Sequence, residues 1–140
     1  MTEADALTAA LQAEHAIIYA YGVLGARLDE ATRAQALTAY DAHRVLRDRL
    51  TAALRARSLP VPGPATSYAI SVAGRPQALA LAIRVEQGVA VSWRDVISST
   101  QEVALRRLGV TALQACAVRA TQWRQLAGAR PLTVALPGTV

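Results

Sequence analysis

The sequence predicts an all-α protein that folds as a single four-helix bundle over residues 1–140. Apolar residues recur at spacings of three and four along four segments, which is the pattern of helices that turn one face to a core. The composition is 53% hydrophobic and contains no Phe, which suits closely packed, alanine-rich helices better than a sheet. The prolines fall between these segments, at the start of the third, or after the fourth.

The first helix is predicted to begin near Thr2, where Thr2 to Asp5 can form an N-terminal cap, and to end at about Arg27. Its apolar stripe is Leu7, Leu11, Ile18, Tyr21 and Leu28. Glu14 falls in the same stripe, where a leucine would be expected. Because a buried carboxylate is costly unless it is paired, the sequence predicts a partner for Glu14.

The second helix is predicted over residues 30–57, with Asp29 as its N-cap. The connection from the first helix is very short, so these two helices should be antiparallel neighbours. Its stripe is Ala36, Ala39, His43, Leu46, Leu50 and Ala53. The polar residue in this stripe is His43.

Residues 58–74 contain Pro60, Pro62, Gly63 and Pro64 and are predicted to be a loop. An extended segment of this length spans at most roughly 55–60 Å, whereas the helices should be about 40 Å long. We therefore expect a Pro-rich crossover along the bundle that makes the third helix parallel to the second. An interdomain linker is the alternative, but neither half has a large enough core alone.

The third helix should start at Arg75–Pro76, and Glu86 interrupts its stripe. The rest of that stripe is Leu79, Ala82, Val89, Trp93 and either Val96 or Ile97. A predicted capping box, Ser99-x-x-Glu102, would start the fourth helix at about Thr100. The predicted stripe of the fourth helix is Leu105, Leu108, Ala112, Ala115, Arg119, Gln122 and Leu126. Gly128 and Pro131 should end it, and the tail 129–140 is expected to pack on the bundle.

The three polar interruptions are predicted to share one layer. In two up-down pairs joined by the crossover, helical rise places Glu14 roughly 17 Å above the base and His43 and Glu86 at about 20 Å. Arg119, at roughly 30 Å, can reach this layer with its long side chain. Two buried carboxylates and one histidine leave negative charge to be balanced, so we expect an arginine to be hydrogen-bonded to them.

The chain resembles a known family through the strings AEHAIIYAYGVLGARL and AYDAHRVLRDRL, the Pro-rich segment and the WRQLAGARP end. It is similar to a ferritin-like domain of unknown function from high-G+C bacteria. The resemblance covers nearly the whole chain and implies a ferritin-like four-helix bundle. It implies no established activity.

The ferritin-like di-iron pattern requires Glu on two helices and Glu-x-x-His on the other two. Glu14, His43 and Glu86 match parts of it, but Tyr40 stands three residues before His43 and the fourth helix has no His. The site is therefore interpreted as degenerate. A two-metal oxidase or a mineralising ferroxidase is hard to build from what remains.

Two interpretations of the layer remain open. Glu14, His43 and Glu86, with His15 as a possible addition, can hold one Fe, Mn or Zn ion. Alternatively, no metal binds and an arginine supplies the positive charge. The favoured interpretation has no cofactor. The predicted neighbours and charge partners of the layer are His15, Tyr40, Arg44, Arg47 and Arg119.

Several function classes lack support in the sequence. The net charge is +5, but the arginines are spread along the helices without a nucleic-acid motif, so no nucleic acid is expected. No apolar run approaches the ~20 residues of a membrane span. The acidic N-terminus is unlike a signal peptide, and Cys116, the single cysteine, excludes an internal disulfide. These observations favour a bacterial cytoplasmic protein.

The sequence therefore favours a non-enzymatic structural or interaction module, with a mono-metal protein or metal-dependent oxidoreductase as the alternative. A homodimer is expected, because apolar residues remain outside the four stripes. These are Val23, Leu37, Val45, Ile83, Val110, Leu113 and Trp123, together with the apolar tail.

Overall fold

The computed structural model describes residues 1–139 and contains four helices and, over that range, no strand. The helices are α1 (Glu3–Gly25), α2 (Glu30–Ala56), α3 (Arg75–Ser99) and α4 (Val103–Ala127). They pack into a four-helix bundle, so the predicted all-α class is confirmed. Val140, the end of the predicted tail, lies outside the described residues.

Three of the predicted helix ends are confirmed. Thr2 and Asp5 form a reciprocal capping box, in which Asp5 N donates to Thr2 Oγ1 at 3.1 Å. Asp29 caps α2 by accepting from Thr32 N at 2.9 Å. Gly128 ends α4 in the left-handed conformation with φ of 68°, which glycine adopts without steric cost.

The predicted capping box at Ser99 and Glu102 is wrong. Ser99 is the last residue of α3, and its hydroxyl donates back to Val96 O at 3.2 Å. The Glu102 side chain is turned to the Arg57 guanidinium instead of to a backbone N–H. Because both side chains have other partners, α4 begins at Val103 without a side-chain cap.

The ends of the helices show their directions. Arg57, just after α2, pairs with Glu3 at the start of α1 and with Glu102 just before α4. Arg75, at the start of α3, lies 3.7 Å from Asp29 at the opposite end of the bundle. Consequently α1 and α4 run one way, and α2 and α3 run the other.

The helices do not pack equally closely. α1 packs on α2 and on α3, and α3 packs on α4. The α3–α4 approach is so tight that a Cβ on Gly109 would lie 2.7 Å from Ile97 Cγ1. By contrast, α2 and α4 face each other across a groove, which is lined by Gln35, Thr38, Ala39, Ala42, Arg119, Gln122, Trp123, Gln125 and Leu126.

The groove explains why the predicted stripe of α4 is partly wrong. Gln122 and Leu126 line the groove and are exposed, while Cys116 and Trp123 are buried. Close packing on α3 turns this other face of α4 to the core. The pattern placed Trp123 outside the stripes, and that prediction is wrong, because Trp123 is buried in the core. In α1 the buried residue is Ile17, whereas Ile18 is only half-buried.

Residues 58–74 contain no helix or strand, as the prolines predict. They lie against α1, where the Tyr68 ring is 5.1 Å from the Tyr19 ring and Val72 is buried. None of the helices within residues 1–139 has both the length and the apolar character needed to cross a membrane.

Candidate functional site

A buried polar network lies in the middle of the bundle. Glu14 on α1, His43 on α2 and Glu86 on α3 are each 0% exposed, and Arg119 on α4 reaches Glu86 from the side of the groove. The structure thus places the three residues of the predicted layer in direct contact. Whether they form a functional site stays a prediction.

Glu14 accepts two hydrogen bonds from the core. His43 Nδ1 lies 2.6 Å from Glu14 Oε2, and the Trp93 indole N–H donates to Glu14 Oε1 at 2.8 Å. Each carboxylate oxygen therefore has a donor from a different helix. This arrangement supplies the partner that the burial of Glu14 requires.

His43 lies between the two carboxylates. Its other ring nitrogen, Nε2, is 3.1 Å from Glu86 Oε1. Burial lowers the pKa of the imidazole, but the hydrogen bonds and charges of Glu14 and Glu86 outweigh burial and raise the pKa to about 9. At neutral pH His43 is therefore an imidazolium that donates from both nitrogens.

Glu86 has an unequal distribution of partners. Its Oε1 accepts from Tyr21 OH at 2.5 Å, from Arg119 Nε at 2.9 Å and from His43, whereas Oε2 is buried without a hydrogen-bond partner in residues 1–139. Burial opposes ionisation of Glu86, but the His43 hydrogen bond and the charges of His43 and Arg119 hold its pKa below the usual value. Glu86 is therefore a buried carboxylate with one unused oxygen.

Arg119 completes the charge balance. Its Nη2 lies 3.4 Å from His43 Nε2 and 3.7 Å from Cys116 Sγ. Imidazolium and guanidinium are both donors, so the approach of Arg119 to His43 is not a hydrogen bond. The two cations lie close because both bind Glu86 Oε1. Two carboxylates and two cations together leave the network neutral.

Three further residues belong to the network, and the sequence interpretation treated them only as core, rim or interface residues. Trp93 binds Glu14, Tyr21 binds Glu86, and Trp123 Nε1 donates to Tyr21 OH at 2.9 Å. Tyr21 and Trp93 each follow a buried Glu on the same stripe by about two helical turns. That spacing, combined with their N–H and O–H groups, could have pointed to them.

Burial acts on two other members of this region. Burial, reinforced by the charge of Glu86, raises the pKa of the Tyr21 hydroxyl well above its usual value. Burial and the charge of Glu86 do the same to the pKa of the Cys116 thiol. Both groups therefore stay protonated at neutral pH, and Cys116 is not an activated thiolate.

Four of the predicted neighbours of the layer lie outside the network. His15 Nε2 lies 3.1 Å from Pro62 O in the loop. The Arg44 guanidinium stands 5.6 Å from the centre of the Tyr40 ring and pairs with Asp41 at 3.6 Å. Arg47 pairs with Asp48 at 2.8 Å. These side chains face the loop or solvent, so Arg119 is the arginine that reaches the network, where it binds Glu86.

One group of side chains has the composition of a metal site. His43, Glu86 and Cys116 each offer a ligand atom, and these atoms lie within 4.8 Å of one another. Arg119 Nη2 contacts two of the three residues, His43 and Cys116. Glu14 is not part of this group, and its two oxygens bind His43 and Trp93.

Comparisons with known proteins give a family and a solved relative. A sequence profile described as "Domain of unknown function (DUF4439)" matches residues 6–140. The chain is also similar to the crystal structure of a conserved hypothetical protein, Rv2844, from Mycobacterium tuberculosis. Identity is 35%, the TM-score is 0.87, and the match covers 96% of each chain. A comparison with curated proteins finds no match.

Proposed function

This chain belongs to the DUF4439 family, and we propose that it is a non-enzymatic structural or interaction module on a ferritin-like bundle whose metal site has been replaced by a protein cation. The observation that carries the proposal is the position of Arg119. Its guanidinium binds Glu86 and lies against His43 and Cys116. A positive charge from the chain itself therefore stands among the groups that would otherwise hold a metal.

The helix directions support the ferritin-like part of the proposal. With α1 and α4 opposite to α2 and α3, we interpret residues 58–74 as the long crossover typical of that fold. Glu14 and Glu86 then correspond to the two single-Glu helices of the di-iron pattern.

The other two helices of the pattern carry different residues at the same spacing. A di-iron bundle has Glu-x-x-His on each of them. Here α2 carries Tyr40-x-x-His43 and α4 carries Cys116-x-x-Arg119. Arg119 thus takes the place of the second His, and both carboxylates of these helices are missing.

The residues present do not fit a di-metal centre. Both nitrogens of His43 face carboxylates, and Glu86 Oε1 already has three donors. The carboxylates that would bridge two cations are absent, and a guanidinium lies where a metal would have to bind. We therefore derive no metal chemistry and assign no catalytic residue.

Elemental analysis of the purified protein tests this proposal. After expression in medium supplemented with iron, manganese and zinc, we expect far less than one metal ion per chain. An Arg119→Ala variant removes the cation and keeps His43, Glu86 and Cys116. Its metal content therefore shows whether the guanidinium is what keeps a metal ion out. Stoichiometric metal in the unmodified protein would refute the proposal.

A single metal ion is the second candidate function, and the grouping of His43, Glu86 and Cys116 favours it. Imidazole, carboxylate and thiolate ligands together suit zinc. The Arg119 side chain is 17% exposed at the groove and would have to turn outward. Stoichiometric zinc that is lost in a Cys116→Ser variant would establish this alternative.

A further inference from the structure

A cavity of about 470 Å³ lies between α3, α4 and the C-terminal tail. Its wall consists mainly of small or apolar side chains, among them Ala90 on α3, Ala117 and Ala120 on α4, and Val134 and Leu136 in the tail. Small-molecule sites in proteins have volumes of roughly 300–1,000 Å³. The cavity is therefore large enough for a small organic molecule with an apolar body.

Arg124 is the cation on the described part of this wall. It is only 6% exposed, although arginine is seldom buried without a paired carboxylate. Its Nη1 donates to Leu132 O in the tail at 3.3 Å, which is the only hydrogen bond of this side chain within residues 1–139. None of the salt bridges between the described residues involves Arg124. Arg124 is therefore a buried cation without a counter-charge in that part of the chain.

Part of the Arg124 guanidinium is accessible. Nε and Nη2 have no hydrogen-bond partner within residues 1–139, and yet neither is among the fully enclosed polar atoms that lack a partner. Both nitrogens therefore keep some accessible surface. Because Arg124 lines the cavity, and its Nη1 holds the tail segment beside the cavity wall, we assign this surface to the cavity.

The charges around the cavity favour an anionic group. Glu86, the carboxylate on the described wall, is 0% exposed, and His43 and Arg119 already bind it. It therefore does not neutralise Arg124. A buried cation is tolerated only when an opposite charge pairs with it, so an anion that entered the cavity would bind favourably.

A carboxylate suits Arg124 better than a phosphate does. Guanidinium presents parallel N–H donors that match the two oxygens of a carboxylate. A phosphate monoester carries about 1.5 to 2 negative charges at neutral pH, which exceeds the single charge of Arg124. The excess charge would be buried without a partner in a largely apolar cavity.

We propose that this cavity binds a small organic molecule with one carboxylate and an apolar body. The carboxylate accepts from Nε and Nη2 of Arg124, and the apolar body lies against Ala90, Ala117 and Leu136. The inference goes beyond the proposed function, since a structural or interaction module does not require a small ligand. It also leaves the buried network intact, because the ligand uses a cation outside that network.

The tail is part of the proposed site and is held at two points. Arg124 holds it at Leu132. Gly138 has φ of 83°, and a Cβ there would lie 2.9 Å from Ala90 O, so only glycine fits this position without displacement of the tail. The cavity wall formed by Val134 and Leu136 lies between these two points.

Calorimetric titration with two matched probes tests the site. 2-Naphthoate carries one carboxylate on an apolar body, and 2-naphthamide has nearly the same shape without the charge. Because a hydrogen bond between charged groups is the stronger kind, we expect 2-naphthoate to bind at least about tenfold more tightly. Equal affinities, or no binding of 2-naphthoate, would overturn the proposal.

Two arginine variants test the role of the cation. Arg124→Met removes the charge and keeps a long side chain, so we expect at least about tenfold weaker binding of 2-naphthoate and little change for 2-naphthamide. Arg107→Met, the same change at an exposed position on α4, should leave both affinities unchanged. Unchanged 2-naphthoate binding by Arg124→Met would refute the proposal. An equal loss of both probes would also refute it, because Arg124 would then act only by holding the tail.

Two alanine variants locate the binding. Ala117→Leu fills the cavity, and we expect it to weaken 2-naphthoate binding at least about tenfold, because the added side chain takes the ligand's volume. Ala52→Leu, the same change at an exposed position on α2, should leave the affinity unchanged. Equal binding by the Ala117→Leu variant would place the probe elsewhere and refute the site. Metal content is measured separately, so failure here and failure of the proposed function are distinguishable.

Discussion

Glu14 accepts its hydrogen bond from Trp93, which lies on the helix of the other buried glutamate. Glu86 in turn accepts from Tyr21, which lies on the helix of Glu14. The aromatic donor to each carboxylate thus lies on the helix of the other carboxylate, about two turns further along the chain. This exchange joins α1 and α3 through two polar contacts that each require the correct register of the two helices.

Replacement of Glu14 should show how much the network contributes to stability. Glu14→Ala leaves His43 Nδ1 and the Trp93 N–H without an acceptor in the core, so we expect a loss of about 3–5 kcal/mol in the free energy of unfolding. Glu14→Gln keeps the shape and one acceptor and should cost less. Urea unfolding measures both, with exposed Glu30→Ala as the control that should change stability little. The partner that loses one of its two counter-charges is His43, and not an arginine as the sequence suggested.

The ion pair between Arg119 and Glu86 can be measured with a double-mutant cycle. Arg119→Met and Glu86→Gln should each destabilise the fold by roughly 2–4 kcal/mol, because each removes one member of the ion pair and leaves the charges of the network unbalanced. The double variant should lose clearly less than the sum of the two. Additive losses in urea unfolding would show that the two side chains do not interact.

Stability should fall as the pH rises from about 6.5 to about 9. The pKa of His43 is raised to about 9 in the folded protein from an ordinary value of 6.5. Its contribution is complete below pH 6.5 and is lost as the imidazolium deprotonates at higher pH. The shift in the pKa of His43 corresponds to a loss of up to about 3 kcal/mol in the free energy of unfolding.

Unfolding curves at a series of pH values check this prediction. In the folded protein the pKa values of Tyr21 and Cys116 are raised well above their ordinary values, so neither group ionises in this interval. Because the Cys116 thiol ionises in the unfolded chain near its ordinary pKa of 9.0, the slope due to His43 is measured below about pH 8. A His43→Gln variant should lose the slope, and His15→Gln should retain it. A slope that persists in His43→Gln would assign the effect to another group.

We also expect a homodimer in solution. Leu37 and Val45 on α2 are both 59% exposed, and Val118 on α4 is 56% exposed. Exposed aliphatic side chains of this size favour a protein interface. Light scattering at high micromolar concentration should give twice the monomer mass, and Leu37→Glu with Val45→Glu should reduce it to the monomer value. A monomer mass for the unmodified chain would contradict the expectation.

The sequence predicted the helices and the height of the network along the bundle axis, because both follow from local geometry. Helical rise is constant, so the heights of Glu14, His43 and Glu86 could be compared before their contacts were known. Caps at Thr2 and Asp29 have side-chain signatures that act within one turn.

The details that the sequence did not predict depend on packing between helices. The buried face of α4 is set by the close approach of Gly109 to Ile97, which no local pattern records. The choice of Arg119 over Arg44 or Arg47 depends on the groove, since the other two arginines have partners on the outer surface of α2. Long flexible side chains give no spacing signal that shows which one turns inward.

The groove between α2 and α4 has a consequence for motion. α2 is held along its length mainly by α1, so it is the helix that can swing outward with the smallest loss of packing. Such a swing would part His43 from Glu86 and admit water to the centre of the bundle. Amide hydrogen exchange should therefore be faster in the middle of α2 than in α1 or α3. The opening should be rarer below pH 6.5, because His43 is then protonated in the closed and the open state and the closed state keeps its full stabilisation.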